Sequence, residues 1–229
     1  MTTKANASKK TSTDVAVKDT NTGVATLEEE MAAAAEAMAA GLQVTSDKVS
    51  TQNKAYKLPD GTLLGPTMEA VVLGFTRSHS YYENEQYDPQ NIQEPMCYAD
   101  TIGDTDEVPT ASIEKPLNPD CKSCPNNQFG SASNGKGKRC KEEMRVAIVP
   151  KGTKEAVVLN IPPTGIKAFS KTINSIIKAN GLPVKAMCRF EFNPSVQFSQ
   201  PIITDAAGNP DFAIHFAQSK EVMADFVRK

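Results

Sequence analysis

The chain has no Trp, only two His and 6 % aromatic residues among its 229. It also has no apolar run near the roughly 20 residues that a membrane-crossing helix requires, so a chain without a membrane span is expected. The scarcity of His leaves His79 and His215 as the only imidazoles for acid–base chemistry, and His215, between Ile214 and Phe216, reads as a structural histidine. There is no G-x-S-x-G elbow and no H-E-x-x-H helix. The Gly-rich run GSASNGKGK at residues 130–138 lacks the G-K-[ST] ending of a phosphate-binding loop. An enzyme is therefore not expected. The net charge of -2 and pI near 5.8 exclude a strongly basic nucleic-acid binder of the histone kind. The opening MTTKANASKKTST has no apolar core of a secretory signal, so the expected compartment is the reducing cytoplasm, where paired disulfides are rare.

Four of the five cysteines fall between residues 96 and 145: Cys97, Cys121, Cys124 and Cys140. Cys121 and Cys124 form a C-x2-C pair, with 23 residues between Cys97 and Cys121 and 15 between Cys124 and Cys140. Four thiolates at such spacing suit one tetrahedral zinc, and because they fill its coordination sphere the metal is expected to be structural, not catalytic. Pro125, Asn126, Asn127 and Gly130 are turn formers that would bend the backbone around it. Ordinary reduced thiols and two disulfides are the competing readings, and His79 is an alternative ligand in place of one cysteine.

The same segment is locally basic. From Cys121 to Lys154 there are eight cations against two carboxylates, a surplus of six hidden by the overall balance. Lys136, Lys138, Arg139 and Lys141 crowd around Cys140, and Tyr81, Tyr82 and Phe129 lie near or within the segment, with Tyr87 and Tyr98 beside them. Cations beside aromatic faces are what a single strand needs for phosphate neutralisation and base stacking. The same rings also suit a wall packed around a metal. The acidic run Asp100, Asp104, Asp106 and Glu107 reads as a solvated loop, with a divalent-cation site as the lesser alternative.

Residues 1–60 read as a flexible arm with one short Ala-rich helix at 27–40, started by the capping box of Thr26 and Glu29 and stopped at Gly41. Residues 43–60 read as polar linker, and residues 61–229 as the folded domain with the knuckle inserted at 96–145. Its expected elements are a buried strand at 69–76 and a hairpin from strands 144–149 and 156–161. A core helix follows, with Ile166, Phe169, Ile173, Ile176 and Ile177 at helical spacing up to Asn180 and Gly181. A strand pair broken at Pro194, a turn at 206–210, a last strand at 211–217 and a final helix capped by Ser219 complete the reading. Cys188, in the alternating MCRFEF, is expected to be a buried core thiol. The class is α+β, mainly β, and the strand count suggests an OB-like antiparallel barrel.

The runs GFTRSHSYYENEQYDPQN, PMCYA, CKSCPNNQFGSASNGKGKRCKE and NIPPTGIKAFSKTINSII resemble a group of bacteriophage early-region proteins, over residues 70–217. The resemblance implies a single-stranded DNA-binding or replication-associated factor in the host cytoplasm, an OB-like domain with an inserted zinc knuckle, and the four cysteines as its metal ligands. The expected function is non-enzymatic single-stranded DNA binding in phage replication, recombination or transcription. The rival is a zinc-containing adaptor that binds a polymerase, with its N-terminal helix contacting replication or transcription proteins. A metal-dependent nuclease is the third reading.

Overall fold

Residues 69–73 are apolar at nearly every position, because strand β3 is covered on both faces. In the computed structural model, which describes residues 47–85, 93–101 and 107–226, a small hairpin of β1 (Tyr56–Lys57) and β2 (Leu63–Gly65) leads into β3 (Met68–Tyr81). Then come β4 (Cys97–Thr101), β5 (Lys141–Pro150), β6 (Val157–Ile161), helix α1 (Pro163–Asn180), β7 (Ala186–Phe192), β8 (Pro201–Gly208) and helix α2 (Phe212–Phe226). The main sheet is antiparallel, in the order β6-β5-β3-β7-β8, with β4 also on β3.

One face of the sheet carries Ala70, Val72, Val146, Ile148, Leu159 and Ile161 and packs on α1. The helix starts with Pro163 at its first position and stops at Gly181, whose φ of 85° suits Gly and whose N–H donates to the Ile177 carbonyl. Its buried positions Ile166, Phe169, Ile173 and Ile176 recur every three or four residues, and the Phe169 ring meets Phe75 edge-on at 5.7 Å. The opposite face, with Val71, Leu73, Ala147 and Val149, packs on Val222, Met223 and Phe226 of α2. A β-bulge between Val72 and Gly74 reverses the alternation, so Phe75 falls on the α1 side with Val72. At Gly74 a Cβ would stand 2.3 Å from Met223 Sδ, which explains the Gly in mid-strand: α2 lies directly on the backbone there.

The expected hairpin, core helix and broken strand pair are present, the last closed by Asn193 N–H donating to Gln200 O at 2.9 Å. Other expectations are corrected. No closed barrel forms among the described residues, because α1 and α2 cover the two faces and the sheet stays open. Among the described residues two helices pack on the sheet, where one core helix is expected. The last strand and the helix after it are a single helix, α2: Phe212, Ile214 and Phe216 alternate like a strand, but in the helix they are 45 %, 68 % and 39 % exposed. Ser219, read as a cap, sits inside α2 and donates to Phe216 O. Strand β8 runs through Gly208, past the start of the expected turn. The folded unit also begins before residue 61, since Val49, Tyr56 and Leu58 are buried and Tyr56 stacks on Phe192 at 4.4 Å. The Ala-rich helix at 27–40 lies outside the described residues, and no helix among the described residues is long and apolar enough to cross a membrane.

Two outcomes follow from this core. Phe169→Ala should lower stability by about 3–5 kcal/mol, read as a reduced denaturant midpoint, because it leaves a cavity between α1 and the sheet. Cys188 is fully buried, and burial pushes its thiol up to about 11. It should therefore react with an alkylating agent only at the rate of opening, and rapid labelling in the native protein would contradict this packing.

Candidate metal centre and basic aromatic face

The second half of β3 leaves the two-helix core and carries a lobe. On one edge it pairs with β4, where Tyr81 is in register with Cys97, and on the other with β5, where Ser80 is in register with Lys141. Cys140, one residue earlier, is thus level with Tyr81, and the two cysteines flank it two strand spacings apart, roughly 10 Å between Cα atoms. Residues opposite one another in an antiparallel pair share a face. Cys97, Tyr81 and Cys140 therefore point the same way, with His79 and Ala99 one step along.

Cys121 and Cys124 are delivered by a knuckle whose bends follow from its polar residues. Asp120 Oδ1 accepts from the Ser123 N–H at 2.7 Å, Pro125 opens a 3-10 turn, and Asn127 N–H donates to Cys124 O at 3.0 Å. The Asn127 side chain, buried, donates to Cys121 O at 2.7 Å. Two further bonds fix the knuckle in place: Cys140 N–H to Asn126 O at 2.7 Å, and Cys121 N–H to Glu107 O at 2.8 Å.

All four cysteines, His79 and Tyr81 line one cavity of about 20 Å³, room for a single water-sized occupant. None of the five cysteines is joined in a disulfide in this structure. Cys121, Cys124 and Cys140 are buried and Cys97 half-buried. Burial pushes the Cys121 thiol up to about 12, and the neighbouring Cys140, Cys97, Glu107 and Cys124 push in the same direction. Burial likewise raises Cys140 to about 11, with Cys124 and Cys97 adding to it, while Lys138 and the Ser80 N–H oppose the rise. Cys121 and Cys140 are thus both raised by the thiols around them as well as by burial. No three His, Cys, Asp or Glu side chains among the described residues are drawn into a finished coordination shell, however. The cavity nevertheless gathers all four cysteines and His79 on its wall.

His79 is buried at the cavity wall, with Nε2 2.9 Å from Glu107 Oε2. Glu107 Oε1 is held by Arg77 at 3.3 Å. Neither ring nitrogen of His79 makes an aligned hydrogen bond.

The expected nucleic-acid contacts fall on the same lobe and pair with one another. Lys138 Nζ lies 5.3 Å from the Phe129 centroid, Arg139 Cζ 4.9 Å from that of Tyr81, and Lys141 Nζ 5.4 Å from that of Tyr82. Their surroundings differ. Phe129 is 84 % exposed, on a loop closed by the Gly130 N–H donating to Gly137 O at 2.7 Å. Tyr81 is part of the cavity wall and carries Arg139, which is held by Glu85 at 3.2 Å and by the Glu83 carbonyl. Tyr98 is also a wall residue, its hydroxyl 2.9 Å from Ser112 Oγ. Lys138 reaches Glu142 at 3.5 Å, Lys141 reaches the Glu85 carbonyl at 3.4 Å, and Lys136 is exposed. The cation surplus of the segment is thus reduced in space by Glu85, which comes from outside it. Tyr87 lies outside the described residues.

Of the acidic run, only Asp100 and Glu107 are among the described residues. The Asp100 side chain is buried against Arg145 at 2.9 Å, and Asp104 and Asp106 lie outside the described residues. Arg145 also donates to Phe226 O at 3.1 Å, tying the end of α2 to β4. His215 is structural, with Nδ1 3.0 Å from the Asn209 amide that also donates to Val184 O. Sequence reasoning missed the roles of Glu107, Glu85 and Asn127, whose partners are set by loop closure and leave no periodic signal. Comparison with family models, curated proteins and solved structures gave no match to this chain.

Proposed function

We propose that the chain is a non-enzymatic binder of single-stranded nucleic acid, DNA in the first instance, acting through the lobe at the end of β3. One observation carries the reading: Phe129, 84 % exposed, is displayed beside Lys138 on the basic loop. A nearly free ring face next to cations offers stacking to a base and neutralisation to its phosphate, without regard to sequence. Tyr82 with Lys141, and the exposed Lys136, extend that face. Arg139, 4.9 Å from the Tyr81 centroid, adds a further cation and ring to the same lobe.

In this reading the lobe is held by one structural zinc drawn from the thiols of Cys97, Cys121, Cys124 and Cys140. The donor set fits: soft sulfur ligands around a one-ion cavity, in a segment too short to bury a core of its own. The ion would replace four thiol protons and supply folding free energy to the knuckle. The reading does not require an OB barrel, because the face lies on the lobe and not on the sheet. A polymerase-binding adaptor is the second reading, favoured by the exposed Phe212, Ile214 and Phe216 of α2. Co-purification with a polymerase in the absence of nucleic acid would favour it.

Metal analysis of the purified chain should find one zinc per chain, and Cys121→Ala should abolish it and make the lobe protease-sensitive while leaving the two-helix core folded. Titration with a homopolymer strand tests the binding face. Replacing Lys136, Lys138 and Lys141 by Gln should lower the salt slope by about 0.7 for each phosphate that is no longer neutralised. Phe129→Ala should weaken binding by about 1–3 kcal/mol at every salt concentration with the slope nearly unchanged. A folded, zinc-loaded triple variant with wild-type affinity and slope would remove the lobe from consideration.

A further inference from the structure

His79 is buried in the second half of β3, in register with Ala99 and Glu142. Its side chain is 3 % exposed, yet neither ring nitrogen has an aligned hydrogen-bond partner. Buried polar groups are almost always satisfied, and an orphan points to an ion or molecule at the site. His79 lines the cavity that the four cysteines also line. We propose that His79 is itself a metal ligand through Nδ1, completing a three-sulfur, one-nitrogen site with Cys121, Cys124 and Cys140, and that Cys97 stays outside the coordination shell as a thiol. This inference rests on the metal reading above and changes its ligand set.

Three observations lead to that assignment. First, Glu107 selects the tautomer. Its Oε1 is held by Arg77 at 3.3 Å, and its Oε2 stands 2.9 Å from His79 Nε2. A lone pair facing a carboxylate at that distance is repelled, so the ring proton belongs on Nε2. Nδ1 is then the nitrogen left to offer a lone pair to an ion, as in the carboxylate–histidine–metal arrangements that orient and strengthen histidine ligands. Second, Glu107 is tied to the ligands themselves, since its carbonyl accepts the Cys121 N–H at 2.8 Å. One residue thus aligns both the knuckle and the imidazole. Third, the cavity offers five donors for the four positions of a tetrahedral ion, and Cys97 is the one cysteine of the four that is not buried. Excluding it also leaves one fewer negative charge beside Glu107.

The test uses the full chain, reduced and loaded with Cd2+ or Co2+ in place of zinc. The cadmium resonance of the wild-type protein should fall in the three-sulfur, one-nitrogen range, and in His79→Cys it should move downfield toward the four-sulfur range. Cys97→Ser should keep the wild-type spectrum and bind the ion within a few-fold of wild type. Glu107→Gln should keep the spectrum but lose roughly 10–100-fold in metal affinity, as expected for a residue that orients a ligand. In the zinc-loaded protein iodoacetamide should modify Cys97 first and spare Cys121, Cys124 and Cys140. A four-sulfur resonance in the wild type that is lost in Cys97→Ser would overturn the His79 assignment and leave the zinc reading intact. A wild-type chain that binds no ion would overturn both.

Discussion

Strand β3 is hydrogen-bonded along both edges, to β5 on one side and to β7 and then β4 on the other. Its first half is pressed between two helices, and its second half runs on into the lobe, between β4 and β5 and against the knuckle. The lobe has little apolar surface of its own to bury, so its position is inherited from the backbone ladder. Cys97 and Cys140 are placed because each begins or precedes a strand registered on the same end of β3. Anything that shortens β3 would separate the two halves of the cysteine cluster before it disturbed the core.

Elements with a strong period were legible in the sequence. Residues 163–180 show helical spacing with Pro at the start and Gly at the end, and the β5–β6 hairpin shows two apolar runs around a Pro-Lys-Gly turn. Misreading arose where a pattern fitted two structures. The alternation of Phe212, Ile214 and Phe216 signals a strand only if one face is buried, and in α2 the burial falls on residues farther along the helix. Tyr56 and Leu58 were lost among polar neighbours, since two apolar residues set no period, yet both reach the core. The grouping of the four cysteines was legible from spacing alone. Their companions Glu107 and His79 were not singled out as a pair, because only the pairing of β3 with β4 and the closure of the loop bring them together.

Charge behaved less simply than counting suggested. The basic segment meets Glu83 and Glu85 from beyond the end of β3, and its own Glu142 is shared between Lys138 and Arg77. Ion pairs of this exposed kind add little stability, but they fix where the cations stand. Arg139 lies over the wall residue Tyr81, Lys138 is half-buried between Phe129 and Glu142, and Lys136 is exposed. In the cavity the balance is reversed: burial holds the protons on Cys121 and Cys140, and Glu107 makes ionising Cys121 harder still. A divalent cation is the species that would make such a group of sulfurs favourable, since it offsets both the burial and the mutual repulsion.

The bulge at Val72 and Gly74 acts as a phase shifter for the whole lobe. Before it, odd-numbered residues of β3 such as Val71 face α2; after it, Phe75, His79 and Tyr81 face the α1 side of the sheet. If the extra residue were absorbed, the strand would keep its ladder but turn over. Thr76, Ser78 and Ser80, now buried on the other face, would then be presented to the cysteines, and the imidazole and the tyrosine would vanish from the cavity. Two regions several residues apart are thereby geared together: the irregularity that lets α2 rest on a bare glycine also decides which side chains the thiols meet.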